Sequence, residues 1–139
     1  GKSLLDVGCG YGTIGLTLAK VYHVDTTMID INNRALALAE KNATLNNVTV
    51  DIFQSDIYEN VTKQFDYIVS NPPIRAGKAV VHQVISGAKN HLSENGTLTI
   101  VIQKKQGAPS AKAKMEEVFG NCEIIRKDKG YYILESVNK

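Results

Sequence analysis

Cysteine is scarce in this chain of 139 residues: only Cys9 and Cys122 occur, far apart and in no metal-ligand spacing. A zinc site is therefore not expected, and a reduced, cytoplasmic setting is. No apolar run approaches the roughly 20 residues that cross a bilayer, so no membrane partner is expected. The opening GKSLLDVGCGYG leads straight into structured sequence rather than a signal peptide. Low-complexity tracts, repeats and linkers are also missing. Net charge is only +2, too little by itself to demand a nucleic-acid partner. Proline is the rarest punctuation, with just Pro72, Pro73 and Pro109, and two of these three stand side by side.

What is present fits one globular domain, 43% hydrophobic and 22% charged, long enough to bury roughly two thirds of its unfolded surface. Short apolar runs predict strands at Ser3–Val7, Val24–Ile29, Val48–Phe53, Tyr67–Ser70 and Thr97–Ile102. Helical signals lie between them. A helix opens near Gly12. Asn32 caps a second running to about Leu45, with Ala35, Leu36, Ala39 and Ala43 on one face. A third spans about Gly77–Leu92, with Val80, Val81, Val84, Ile85 and Ala88 at helical spacing. A fourth spans about Ser110–Phe119, with Pro109 before it and Gly120 after it. This alternation predicts a Rossmann-like α/β fold, a doubly wound and mostly parallel sheet with helices on both faces. CEIIRK and YYILES break the pattern, because the three residues DKG between them are too few for a parallel crossover. They must pair as a C-terminal antiparallel hairpin.

The first strand runs into LLDVGCGYGTIG, which contains G-x-G-x-x-G at Gly10, Gly12 and Gly15, a nicotinamide-dinucleotide fingerprint that is weak alone. The better register is Asp6-x-Gly8-x-Gly10-x-Gly12, an acid at the strand end followed by glycines at every second position. Such a loop admits close backbone approach, and the following helix aims N–H groups at the same place. Asp6 would repel a pyrophosphate, whereas a zwitterionic amino-acid group suits both Asp6 and the N–H groups. Asp30, at the end of the second strand, is placed to accept from both hydroxyls of a ribose. Its structural alternative is an acid beside the Asn32 helix start. Asp56, in SDIY, is a candidate acceptor for an adenine amino group or a loop Asp bonding its own backbone.

Asp6-x-Gly8-x-Gly10-x-Gly12, Asp30, SDIY, SNPPI and the terminal hairpin together resemble a class I S-adenosylmethionine-dependent methyltransferase. NPPIRAGK and the flow of the whole chain resemble the methyltransferase small domain family, the RsmC-like ribosomal RNA guanine-N2 methyltransferases. The resemblance implies S-adenosylmethionine held by Asp6, Gly8, Cys9, Gly10, Asp30, Ile31, Asp56 and Asn71. It implies that the Asn71 side-chain oxygen and the Pro72 carbonyl accept from the two N–H groups of an exocyclic amine. That nitrogen is a poor nucleophile, and it needs its lone pair turned toward the sulfonium methyl rather than a metal or covalent intermediate. Pro73, Ile74 and Arg75 would contact the substrate. The implied partner is ribosomal RNA or the small ribosomal subunit, with guanine N2 of 16S rRNA the expected target; oligomeric state is left open.

Two features depart from the wider pattern. Relatives that methylate adenine or a protein glutamine carry an aromatic where Ile74 stands, so those targets become the alternative and guanine the expectation. Gly1 lies almost on the first strand, and the resemblance implies that an N-terminal segment helping to close the pocket is missing. A nicotinamide oxidoreductase would require a parallel sixth strand and gives Asn-Pro-Pro no purpose. A non-catalytic RNA-binding module would not need both halves of the chemistry. Half of the sixteen Lys and Arg residues follow residue 103. Of these Lys104, Lys105, Lys112 and Lys114 are candidates for RNA phosphates, or else part of a solvated face. His82, on the helix after the motif, is read as a helix-surface or half-buried histidine, with approach to the site as the alternative, and Cys9 as a small buried residue.

Overall fold

The computed structural model describes residues 2–10, 12–73 and 76–139; Ile74 and Arg75 therefore lie outside the described residues. The elements follow as β1 (Ser3–Val7), α1 (Thr13–Tyr22), β2 (Asp25–Asp30), α2 (Asn33–Leu45), β3 (Asp51–Gln54), β4 (Phe65–Ser70), α3 (Lys78–His91), β5 (Leu92–Gln103), α4 (Lys104–Phe119), β6 (Glu123–Asp128) and β7 (Tyr131–Val137). They build one sheet of order β3-β2-β1-β4-β5-β7-β6. The pairs from β3 through β5 are parallel, and β7 runs antiparallel to both β5 and β6. The hairpin is thus as expected, but its second strand slips between β5 and β6. A dinucleotide-type parallel neighbour for β5 is excluded by that insertion.

Period-2 alternation splits the side chains of each central strand between the sheet faces. Leu5, Val7, Ile68, Leu98, Ile100 and Ile102 join Val81, Val84, Ile85 and Ala88 of α3 and Ala108, Ala111, Met115 and Phe119 of α4 in the main core. On the other face Met28 packs with Leu16 of α1 and Ala39 and Ala43 of α2. The small residues of α2 let it lie close to the sheet. Asn32 caps that helix as predicted, its side-chain oxygen accepting from the N–H of Arg34 at 2.9 Å and of Ala35 at 3.3 Å.

Several expectations need correction, beginning with β3, which starts at Asp51 rather than Val48, and β4, which starts at Phe65 rather than Tyr67. β5 begins at Leu92, not Thr97, because Leu92 pairs with Phe65 before the register jumps to Tyr67–Thr97 around Asn95, which has φ 66. The helix predicted from Ser110 is preceded by a helical turn from Lys104. The two meet at a kink where Gly107 has φ 116 and Pro109 offers no N–H. Val80 does not belong to the buried stripe of α3: it is 41% exposed and faces the cavity described next.

Candidate active site

The carboxyl ends of β1, β2, β3 and β4 surround a cavity of about 740 Å³, within the usual size of small-molecule sites. Asp6, Gly8, Cys9, Gly10, Asp30, Ile31, Asp56, Asn71, Pro72 and Pro73 all line it. The structure therefore gathers around one space every residue assigned by the resemblance to cofactor or target amine that falls within the described residues; the candidate RNA-contacting lysines do not line it. A smaller cavity of about 250 Å³, by Thr27, Asp51 and Lys63, holds none of them.

The wall made by β1 and β2 is cross-braced. Gly8 and Cys9 both donate their N–H to the Ile29 carbonyl at 2.9 Å. The carboxylate of Asp30 accepts from Gly10 N–H and from Asn32 N–H, each at 2.9 Å. Asp30 thus fills the structural role as well, steadying both the glycine loop and the start of α2. Each of its oxygens still has a second lone pair for a ligand. Gly8 and Gly10 have φ 69 and 56, and a Cβ added at either would meet nothing within 4 Å. Glycine is needed there for its backbone conformation, and the space beside it stays open to the cavity.

Asp6 is buried at 2% exposure. One oxygen accepts from Gly15 N–H at 3.0 Å. Burial pushes its carboxyl up to about 7, the Gly15 N–H pulls it back, and the nearby Asp30 charge raises it further. A Cβ on Gly15 would lie 2.8 Å from that carboxyl oxygen and 2.7 Å from Met28 Sδ. Gly15 therefore belongs to the site as the seat of Asp6, a role that the dinucleotide reading of its motif conceals. The Cys9 thiol is pushed up to about 12 by burial and then by Asp6 and Asp30, so it is a poor nucleophile at neutral pH.

The loop after β3 forms the third side. Asp56 is exposed, and its carboxylate accepts no hydrogen bond among the described residues, leaving it available to a ligand. Next to it Ile57 adopts φ 55, a strained conformation for a β-branched residue. Ser55 holds it there by donating to the Ile57 carbonyl at 2.7 Å and accepting from Asn60 N–H at 3.0 Å. Tyr58 anchors the loop to α3: its hydroxyl donates to the Val84 carbonyl at 2.7 Å, and its ring lies where a side chain on Gly87 would have to go. The sequence marks Ile57 and Tyr58 only as part of SDIY; the contacts that give each its part in the loop are tertiary.

On the fourth side β4 ends with Ser70, whose hydroxyl donates to the Val7 carbonyl at 2.9 Å and ties β4 to β1 at the cavity floor. Asn71 follows with an exposed side chain that has no hydrogen-bond partner among the described residues. Pro72 is buried and Pro73 exposed. Their carbonyls are not idle: Gln106 Nε2 donates to Pro72 O at 3.0 Å and to Pro73 O at 2.6 Å. His82 stays away from the cavity. It pairs through Nε2 with the Ser110 hydroxyl at 3.0 Å, joining α3 to α4. Among the described residues no group of three His, Cys, Asp or Glu could hold a metal ion, and no helix is long and apolar enough to cross a membrane.

Comparison with known proteins places this geometry. A model of the methyltransferase small domain matches residues 1–135. The YbxB protein of Bacillus subtilis, which is uncharacterised, is 52% identical over 137 residues, covering 96% of this chain and 68% of that one. The ribosomal RNA small subunit methyltransferase C of Aeromonas hydrophila is 40% identical over 104 residues, but the match takes in 71% of this chain and only 30% of that protein. A Thermus thermophilus 16S rRNA N2 methyltransferase (RsmC), solved in complex with AdoMet and guanosine, superposes with a TM-score of 0.90 at 25% identity. It covers all of this chain and 38% of its own. This chain therefore spans well under half the length of the ribosomal RNA methyltransferases it matches, and it belongs to the methyltransferase small domain family, with the class I methyltransferase fold.

Proposed function

We propose that this chain binds S-adenosylmethionine and methylates an exocyclic amino group, that of guanine N2 in small-subunit ribosomal RNA. The observation that carries the reading is the pairing of opposite walls in one cavity. A braced glycine loop with two carboxylates faces a free Asn71 carboxamide beside the Pro72 carbonyl. The residues present fit the methyl donor: open space at Gly8 and Gly10, spare acceptors on Asp30 for a ribose diol, and Asp6 for an ammonium. Bound S-adenosylmethionine supplies an electrophilic sulfonium methyl. Asn71 Oδ1 and Pro72 O accept the two N–H groups of the target amine and orient it. Pro72 and Pro73, lacking N–H groups, present no competing donor. Catalysis by this chain is then chiefly positioning and electrostatics.

The RNA partner is supported by charge at the same edge of the sheet. Gln103 at the end of β5 pairs with Tyr131 at the start of β7, and Lys104 N–H donates to the Gly130 carbonyl at 2.8 Å. The hairpin tip thus stands on the carboxyl edge, where the exposed Arg126, Lys127 and Lys129 join Lys104 and Lys105. Calorimetric titration with S-adenosylmethionine, paired with methyl transfer to unmodified 16S rRNA, tests the proposal. Asp30→Ala should weaken the methyl donor roughly tenfold or more, since hydrogen bonds to a charged acceptor contribute about 1.5–3 kcal/mol. Equal binding by the variant, or preference for a nicotinamide dinucleotide, would overturn it.

A further inference from the structure

Gln106 comes to the two proline carbonyls from the segment after β5, beside the β4 end that carries them. A carbonyl cannot donate, so both contacts, at 3.0 Å to Pro72 O and 2.6 Å to Pro73 O, require the nitrogen of the carboxamide and not its oxygen. Pro73 O has a second partner in Ala76 N–H at 2.8 Å. For the Pro72 carbonyl, Gln106 is the one partner among the described residues. The group it supplies is a planar, conjugated NH2 with two N–H donors and no basic lone pair. The amino groups of guanine and adenine and a glutamine amide belong to that same chemical class.

We infer that Gln106 is a specificity-determining residue, an internal stand-in for the target amine that holds the Pro72 carbonyl until a genuine NH2 group displaces it. The inference rests on the reading of Pro72 as an acceptor for the target. Gly107, with φ 116, interrupts the helix immediately after Gln106. The side chain can thus withdraw without moving the packed part of α4, from Ala108 onward. Competition with a resident NH2 has two consequences. A hydroxyl brings one hydrogen, so it cannot serve Asn71 and Pro72 together and does not displace Gln106. A singly methylated amine also keeps only one N–H. Once the nitrogen has taken the methyl from the sulfonium, whose S–C bond breaks to leave a neutral thioether, and has given its proton to water, Gln106 retakes the carbonyl and the product leaves before a second transfer.

The first test uses the intact chain labelled with 15N, with the Gln106 side-chain NH2 signal identified by its loss in Gln106→Leu. That NH2 should exchange slowly with water in the free protein. Millimolar guanosine, with S-adenosylhomocysteine present, should release it, and N2-methylguanosine should release it far less. An NH2 that stays protected with guanosine, adenosine and a glutamine amide peptide alike overturns the inference. The second test counts methyl groups. Gln106→Leu should bind guanosine roughly threefold to tenfold more tightly, the scale of one hydrogen bond removed from competition, and should yield dimethylated product from 16S rRNA. Weaker binding with single methylation would make Gln106 a brace and nothing more. Absence of any methyl transfer by the unaltered chain would instead count against the function proposed above, and the NH2 measurement would still decide the part played by Gln106.

Discussion

The two walls of the cavity are stabilised in opposite ways. On the β1–β2 wall, backbone N–H groups bond to fixed carboxylates and carbonyls: Gly10 to Asp30, Gly15 to Asp6, Gly8 and Cys9 to Ile29. Among the described residues of that wall, these groups are held by backbone bonds while Gly8 and Gly10 leave the space beside them open. On the β4 wall the acceptors are either free, as in Asn71, or occupied by one flexible side chain, Gln106. A cofactor used unchanged at every turnover suits the first arrangement. A target that must be recognised, altered and released suits the second.

Asn71→Ala should separate the walls most sharply. Removing one preorganised acceptor of the target amine is expected to lower the methyl-transfer rate roughly a hundredfold to a thousandfold. Affinity for S-adenosylmethionine should stay within about twofold, because one uncharged contact contributes little against the Asp6 and Asp30 set. Single-turnover transfer and calorimetry on the same preparation measure both. A parallel loss of rate and cofactor affinity would mean that the walls are not separable.

Asp6 tests the braced wall through pH. Its carboxyl is raised from an ordinary 3.8 to about 7, so the buried neutral form supports the fold fully below about pH 4. That support is lost as pH rises through about 7. Relative to Asp6→Asn, which keeps an acceptor for Gly15 N–H, the unaltered chain should lose stability over this window, on the order of 4 kcal/mol at most. Denaturant unfolding at pH 4, 5.5 and 7.5 measures the gap. A ligand ammonium favours the charged carboxylate, so cofactor binding should strengthen as pH rises through about 7 and release a proton. Binding that weakens over that range would remove Asp6 from the ammonium role.

The braced wall is also the more legible in sequence. Asp6, Gly8, Gly10 and Asp30 announce themselves because acids and glycines at the ends of apolar strands have few other uses, and Asn32 is a helix cap from composition alone. Asn-Pro-Pro is legible through the family resemblance, since two prolines alone would serve a stiff strand exit equally well. Gln106 and Gly15 are not. Gln106 lies 34 residues from Pro72, and no local periodicity ties a glutamine after β5 to a carbonyl after β4. Gly15 carries a misleading local motif, and its partnership with Asp6 depends on the pitch of α1 against β1. The insertion of β7 between β5 and β6 escapes the sequence too, since a short hairpin fixes pairing but not which strand faces the sheet.

The smallest expected effect concerns charges outside the cavity. Two of the four lysines that the sequence offers to RNA are already neutralised: Lys112 lies 3.0 Å from Glu116 and Lys114 3.5 Å from Glu117, both on α4. Lys104 and Lys105 are exposed with no acidic partner among the described residues, next to the hairpin tip with Lys127 and Lys129. The order β4-β5-β7-β6 spreads these cations from the Asn71 wall across three strand spacings, about 14 Å, which matches a few phosphates of an RNA strand leading into the site. Replacing Lys104, Lys105 and Lys129 with Gln should flatten the dependence of log affinity on log salt by roughly two, at about 0.7 for each phosphate no longer neutralised. Cofactor binding should be untouched, because none of the three lines the cavity. Lys112→Gln with Lys114→Gln should leave the slope where it was. Were the α4 pair to flatten it as much as the tip residues, the RNA path would run along α4, and the target amine would reach Pro72 from the side where Gln106 now stands.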